Sequence, residues 1–294
     1  MANEPQSLEL QSDPWLLDTF GWFDHDYKHP RYIKILKERK YKLFGNWPYL
    51  FSGTEESPLE AKIKILLLGG STTSIVNNST WSDHLFNLLA TSCESVAIFN
   101  GGCGLYNSFN EYMKLSRDIL FMAPTHVLSL SGVNDTNASA AISNGFSGML
   151  IEPLVAGNVY TRLNTDFPRL ERVVRWLDES KNMNAICEAH DTKFFRFFQP
   201  ILCSGSNPYS ELSDELKGLV HWMGDFLGDR EEYIKAVQIF YNSLEKACFP
   251  NYLLDITDSV PSENRLWHDA RHPTDEGYQL IANAICQHVF GKES

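Results

Sequence analysis

Between residues 63 and 256 the chain carries five short, largely apolar runs. Ile63–Leu68 is broken only by Lys64 and ends in Gly69-Gly70; Val96–Phe99 ends in Asn100-Gly101-Gly102; His126–Leu130 ends in Ser131-Gly132. Phe194–Leu202 is interrupted by Arg196, Gln199 and Pro200, and Tyr252–Ile256 is the weakest of the five. Short continuous runs of this kind predict strands buried on both faces, as in a parallel sheet. Between them the period lengthens to that of a helix. Trp81, His84, Leu85, Leu88 and Leu89 share a stripe, as do Tyr112, Leu115, Ile119 and Leu120, which Pro124 stops. Leu170–Leu177 and Tyr233–Leu244 behave similarly. The clearest helix is the last, with Tyr278, Ile281, Ala282, Ile285 and Val289 on one face and Pro273-Thr274-Asp275-Glu276 as its start signal.

Strands alternating with helices predict an α/β fold whose sheet is mostly parallel and five-stranded, joined by right-handed crossovers. Ligands of such sheets sit at the carboxyl ends of the strands. Three of the five runs end in glycine-containing turns at that edge. Ahead of them, residues 1–60 are dense in aromatics, among them Trp15, Phe20, Trp22, Phe23, Trp47 and Phe51. That density predicts an ordered arm packed on a single domain of residues 61–294 rather than a disordered tail.

Composition narrows the function classes. Apolar residues make up 43% of the 294 and charged residues 21%, enough for a full core. With 37 acidic against 25 basic residues the net charge is −12, which repels phosphate backbones and argues against a nucleic-acid partner. The six cysteines are scattered without a CxxC, so neither a disulfide framework nor a structural zinc is expected. Cys93, Cys187, Cys248 and Cys286 read as buried thiols. Met1 to Pro14 lacks an apolar leader segment, and no run reaches the ~20 residues of a membrane span, so a cytoplasmic location is expected.

The candidate chemistry lies in the turns. In Gly69-Gly70-Ser71-Thr72-Thr73, glycines at a strand end let the backbone turn sharply and expose the hydroxyl of Ser71, a candidate nucleophile. Such turns also bind phosphate, but the GK[ST] lysine and the GxGxxG spacing are absent. In Gly132-Val133-Asn134-Asp135 the Asn134 amide is a candidate oxyanion donor, with an Asx-turn as the alternative. Asp269 stands three residues before His272, just ahead of the last helix. A helix N-terminus favours the neutral imidazole and a carboxylate fixes its tautomer, which together describe an oriented base. A surface loop with a helix cap is the plainer reading of the same residues. His268, four residues before His272, lacks the further ligands and rigid frame that zinc needs. Cys103 reads as a packing residue, and Ser204–Ser213 as a substrate-side or ordinary surface loop.

Taken in order, GGSTT at 69–73, NGGCG at 100–104, GVND at 132–135 and DARHPTDEGY at 269–278 resemble the four blocks of the SGNH/GDSL hydrolase family. The resemblance spans residues 62–290 and implies a three-layer, flavodoxin-like α/β/α sandwich. It implies Ser71 as nucleophile, His272 as general base and acid, and Asp269 as its orienting acid. The implied oxyanion donors are the backbone N–H of Ser71, a backbone N–H of the second block and the Asn134 side chain. Gly104 is preferred to Leu105 in the second block, because the oxyanion must approach the main chain closely. Gly70 stands where the family usually carries an acid. The chemistry needs no metal or cofactor. An esterase or deacetylase acting on a small or saccharide ester, a glycan O-acyltransferase with the same residues, and a non-catalytic binding module on the same fold all stay open.

Overall fold

The structure is a computed structural model and describes residues 41–44, 47–54, 58–74, 80–93, 95–102, 106–136, 169–204, 207–226, 229–245 and 249–291. Its frame is one sheet in the order β1-β2-β4-β3-β5-β6-β7. The strands are β1 (Tyr41–Phe44), β2 (Trp47–Gly53), β3 (Ile63–Gly69), β4 (Val96–Asn100), β5 (His126–Ser131), β6 (Lys193–Phe198) and β7 (Leu253–Asp255). The helices are α1 (Trp81–Ala90), α2 (Ser108–Met122), the single turn α3 (Val133–Thr136), α4 (Arg169–Ala189), α5 (Asp214–Phe226), α6 (Arg230–Glu245) and α7 (Asp275–Phe290).

The five expected strands are the parallel part, β4-β3-β5-β6-β7. The sheet is larger than expected by β1 and β2, an antiparallel hairpin that pairs with β4 through Leu50–Gly53. That hairpin lies within the 1–60 segment; residues 1–40 fall outside the described ones. The fourth strand stops at Phe198, short of the expected end at Leu202, because Pro200 has no N–H for the ladder. Helix α5 is an addition to the expected set; its buried face is the stripe Leu216, Val220 and Met223.

Side chains of β3 alternate between two cores. Ile65 and Leu67 pack with Trp81, Leu85 and Leu89 of α1 and Tyr278, Ile281 and Ile285 of α7. Leu66 and Leu68 pack with Leu115, Ile119 and Met122 of α2 and Met183 and Cys187 of α4. Helices cover both faces, and the fold is a three-layer α/β/α sandwich. Two capping boxes start the helices that leave the functional edge: Thr80 with Asp83 for α1, and Asn107 with Asn110 for α2. Of the stripe residues named above, Leu120 is exposed. Cys187, Cys203 and Cys286 are buried and free, and Cys93 is only half-buried; Cys103 and Cys248 lie outside the described residues. No helix among the described residues is long and apolar enough to cross a membrane.

A charged cluster sits inside this core. Arg196 and Glu111 are wholly buried and paired at 3.2 Å, and the Ser129 hydroxyl donates to the same Glu111 oxygen. Arg196 also donates to the Ser131 and Ser180 hydroxyls and lies over the Trp176 ring. Burial pushes the Glu111 carboxyl from 4.5 up to about 7, against the pull of Arg196 and the Ser129 hydroxyl. Between those values the folded protein holds a proton that the unfolded chain has lost, so this group's contribution to stability falls as pH rises from about 4.5 to about 7. Glu111→Gln removes that titration. The difference in denaturation midpoint between wild type and variant is expected to shift in the variant's favour across this range; a constant difference would contradict it.

Candidate active site

The parallel strands run in the order second, first, third, fourth, fifth, so the chain's direction of travel reverses between β3 and β5. The crevice at such a reversal is where open α/β sheets place ligands. Two sequence-predicted residues flank it, Ser71 after β3 and Asn134 after β5.

Ser71 opens a tight turn, in which the Thr73 and Ser74 N–H groups both donate to Gly70 O at 3.1 Å. Gly69, with φ +156°, gives the strand its exit: a Cβ there would meet Thr73 Oγ1 and Leu130 O at 2.2 and 2.7 Å. The turn is pinned from below by the Trp81 indole, which donates to Thr73 Oγ1, and by the Asn100 amide, which donates to Thr73 O at 2.7 Å. The Ser71 N–H has no hydrogen-bond partner among the described residues.

The second expected pair comes from the far end of the chain. Trp267 bridges to Pro273, and the His268 N–H donates to His272 O at 2.9 Å, closing a loop before α7. Inside it Asp269 Oδ1 accepts the N–H groups of Arg271 (2.8 Å) and His272 (3.0 Å), leaving Oδ2 for His272 Nδ1 at 2.7 Å. Burial pushes the Asp269 carboxyl up, but the hydrogen bond and charge of His272 and the two backbone donors outweigh it, and the net shift is downward. Across 201 residues His272 Nε2 meets Ser71 Oγ at 2.6 Å. Thr274 is the N-cap of α7 by backbone, but its hydroxyl donates to Arg265 O instead of capping.

Asn134 sits in α3, and its Nδ2 donates to Tyr106 O at 2.9 Å, which fixes the amide's orientation and leaves its second N–H without a partner among the described residues. Neighbouring Asp135 accepts from Ser108 N and Oγ at the start of α2. Both side chains reach across the fold to another segment, which is not the local bonding of an Asx-turn. The same amide lies close to Gly70: a Cβ at that position would lie 2.5 Å from Asn134 Nδ2.

Ser71, His272, Asp269 and Asn134 are therefore brought to one edge, with Ser71 bonded to His272 and Gly70 beside Asn134. Gly104 and Leu105 lie outside the described residues. What precedes them is held close: Gly101 N–H donates to Leu67 O at 2.9 Å and Gly102 N–H to Asn100 Oδ1 at 2.9 Å. His268 is exposed, and no cluster of three or more His, Cys, Asp or Glu groups with a metal-holding arrangement exists among the described residues. Ser204 and Asn207, in the segment after β6, are buried and tied to Ile201 O and Val260 O; residues 205 and 206 are not described.

Two further polar residues serve this edge and escape the sequence pattern. Asn100 registers there only as part of a glycine turn, and Gln199 only as a break in a strand. Gln199 is wholly buried, and its Nε2 donates to Thr72 Oγ1 and Arg271 O. A fully polar residue at the end of an apolar run was the available signal.

No family model and no curated protein matches the chain. Among solved structures the chain is similar in outline to an acetyl xylan esterase, AlAXEase (15% identity, 77% of this chain and 100% of that one, TM-score 0.45). Others are a GDSL-like lipase from Bacteroides thetaiotaomicron (13%, 78% and 88%, TM-score 0.43) and a lipase from a goat rumen metagenome (14%, 79% and 99%, TM-score 0.49). The likeness is one of fold alone.

Proposed function

We propose that the protein is a serine-dependent ester hydrolase that works through an acyl-enzyme on Ser71. The observation that carries this reading is the continuous chain of short hydrogen bonds from Ser71 Oγ through His272 to Asp269, 2.6 Å and then 2.7 Å. Asp269 accepts a hydrogen bond from Nδ1–H, which keeps the proton on Nδ1 and leaves Nε2 unprotonated, facing the hydroxyl it is to deprotonate. Ser71 Oγ attacks the ester carbonyl as its proton passes to His272 Nε2. The tetrahedral oxyanion collapses, His272 returns the proton to the leaving alcohol, and an ester of Ser71 remains. Water, deprotonated by the same imidazole, then releases the acid and restores the serine.

The oxyanion needs donors that are aimed before it forms. The Ser71 N–H and the second N–H of the oriented Asn134 amide meet that need, and the Gly104 N–H is assigned the third place. Asn134→Ala is expected to lower kcat on the order of 10²–10³-fold with little change in KM, as read in steady-state assays. An unchanged kcat would exclude Asn134 as an oxyanion donor.

For substrate we propose a small ester, with O-acetyl groups on carbohydrate as the class drawn from the family resemblance. Incubation with an acetylated saccharide and an unacetylated acceptor tests the reaction type. Free acetate in step with deacetylation is the expected result. Acetyl groups appearing on the acceptor would make the protein a transferase, and neither product would count against an ester substrate of this class.

A further inference from the structure

We propose that Gln199 is a positioning residue, a carboxamide brace that keeps the Ser71 turn and the His272 loop in register through the catalytic cycle. The proposal rests on the serine-hydrolase reading.

The two parts it joins are each closed by short-range bonds of their own. The serine turn is closed on itself by the Thr73 and Ser74 N–H groups on Gly70 O and by the Ser74 hydroxyl on Ser71 O. The base loop is closed on itself by Asp269, which holds Arg271 N, His272 N and His272 Nδ1. None of these bonds sets the gap between the two. The Ser71–His272 bond spans it, but that bond is lost in every turnover, when Oγ becomes the ester oxygen. A contact that survives acylation has to hold the imidazole where the attacking water needs it.

Gln199 provides one. Both N–H groups of its Nε2 are used, one on Thr72 Oγ1 at 2.6 Å and one on Arg271 O at 3.0 Å. Each acceptor belongs to the immediate chain neighbour of a reacting residue, Thr72 of Ser71 and Arg271 of His272. Arg271 O is a carbonyl and can only accept, so the amide's orientation is fixed by chemistry. The Gln199 backbone is itself anchored, its N–H on Ser131 O at 3.0 Å and its carbonyl accepting from the Tyr241 hydroxyl at 2.7 Å. The side chain is wholly buried, and its two-pronged donor geometry has no neutral aliphatic equivalent. Neither bond involves a reacting atom, so the brace is the same in the free and acylated enzyme.

The test separates bracing from packing. Gln199→Met keeps the volume and removes both donors; Thr72→Val keeps the shape and removes one acceptor. With a short-chain nitrophenyl ester, Gln199→Met is expected to lower kcat by roughly 10–10²-fold at unchanged KM, since a displacement of about 1 Å is enough for that loss. The Asp269-bound Nδ1 proton of His272 should keep its downfield position in the proton spectrum, because the loop's own bonds are untouched. Thr72→Val should lose a part of the same activity, and the double variant should lose no more than Gln199→Met alone. A wild-type kcat in Gln199→Met, losses that multiply in the double variant, or disappearance of the downfield proton would each overturn the brace. An inactive wild type would defeat the hydrolase reading itself, so the two failures are distinguishable.

Discussion

Ser71→Ala is expected to reduce kcat for a short-chain ester on the order of 10⁶-fold, to the residual rate that binding and the oxyanion donors supply, with the fold intact. The size follows from the role: without Oγ no acyl-enzyme forms, and His272 has nothing to deprotonate except water at a distance the site is not built for. The intact fold follows from the structure. The side chain of Ser71 bonds to His272, while the turn around it is held by backbone groups, by Ser74 and by Thr73. The variant should therefore unfold close to the wild-type midpoint and still bind substrate. Equal turnover by wild type and variant would point to a different nucleophile or to no catalysis at all.

Asp269→Asn should cost about 10⁴-fold in kcat for a more specific reason. Oδ1 of Asp269 accepts two backbone N–H groups, from Arg271 and His272. An asparagine must keep its carbonyl oxygen there, since an NH₂ group facing two donors is repelled. Its NH₂ then takes the place of Oδ2 and donates to His272 Nδ1. That selects the tautomer protonated on Nε2, which presents a proton to Ser71 Oγ where it has to accept one. Geometry survives while chemistry stops. The thermal midpoint should move little, and labelling by an alkyl fluorophosphonate should slow in proportion to kcat. A loss of only a few-fold would mean that the carboxylate positions the loop without setting the tautomer.

The sequence held more of the site than of its support. Ser71, Asn134 and the Asp269–His272 pair were legible because their chemistry coincides with local signals: glycine turns after apolar runs, and an acid–base spacing ahead of a helix start. The parallel strands were legible for a similar reason, as burial on both faces leaves continuous apolar runs such as Ile65-Leu66-Leu67-Leu68 in β3. The hairpin β1–β2 was not. Pro48 interrupts the aromatic run of β2, β1 is a four-residue edge strand, and the place of the hairpin in the sheet is decided by partners far away in the chain, as for Leu50 with Asn100. Gln199 was missed because its meaning is tertiary. Nothing local ties it to Thr72 and Arg271, which are 127 and 72 residues distant. The Glu111–Arg196 pair, 85 residues apart, was invisible for the same reason.

Covalent labelling tests most directly whether Ser71 is an activated nucleophile. The intact protein is treated with an alkyl fluorophosphonate and its mass measured, followed by peptide mapping. One adduct per chain is expected, located on Ser71, absent in Ser71→Ala and strongly slowed in Asp269→Asn. No adduct on the intact protein, or an adduct on another residue that leaves Ser71 free, would contradict it.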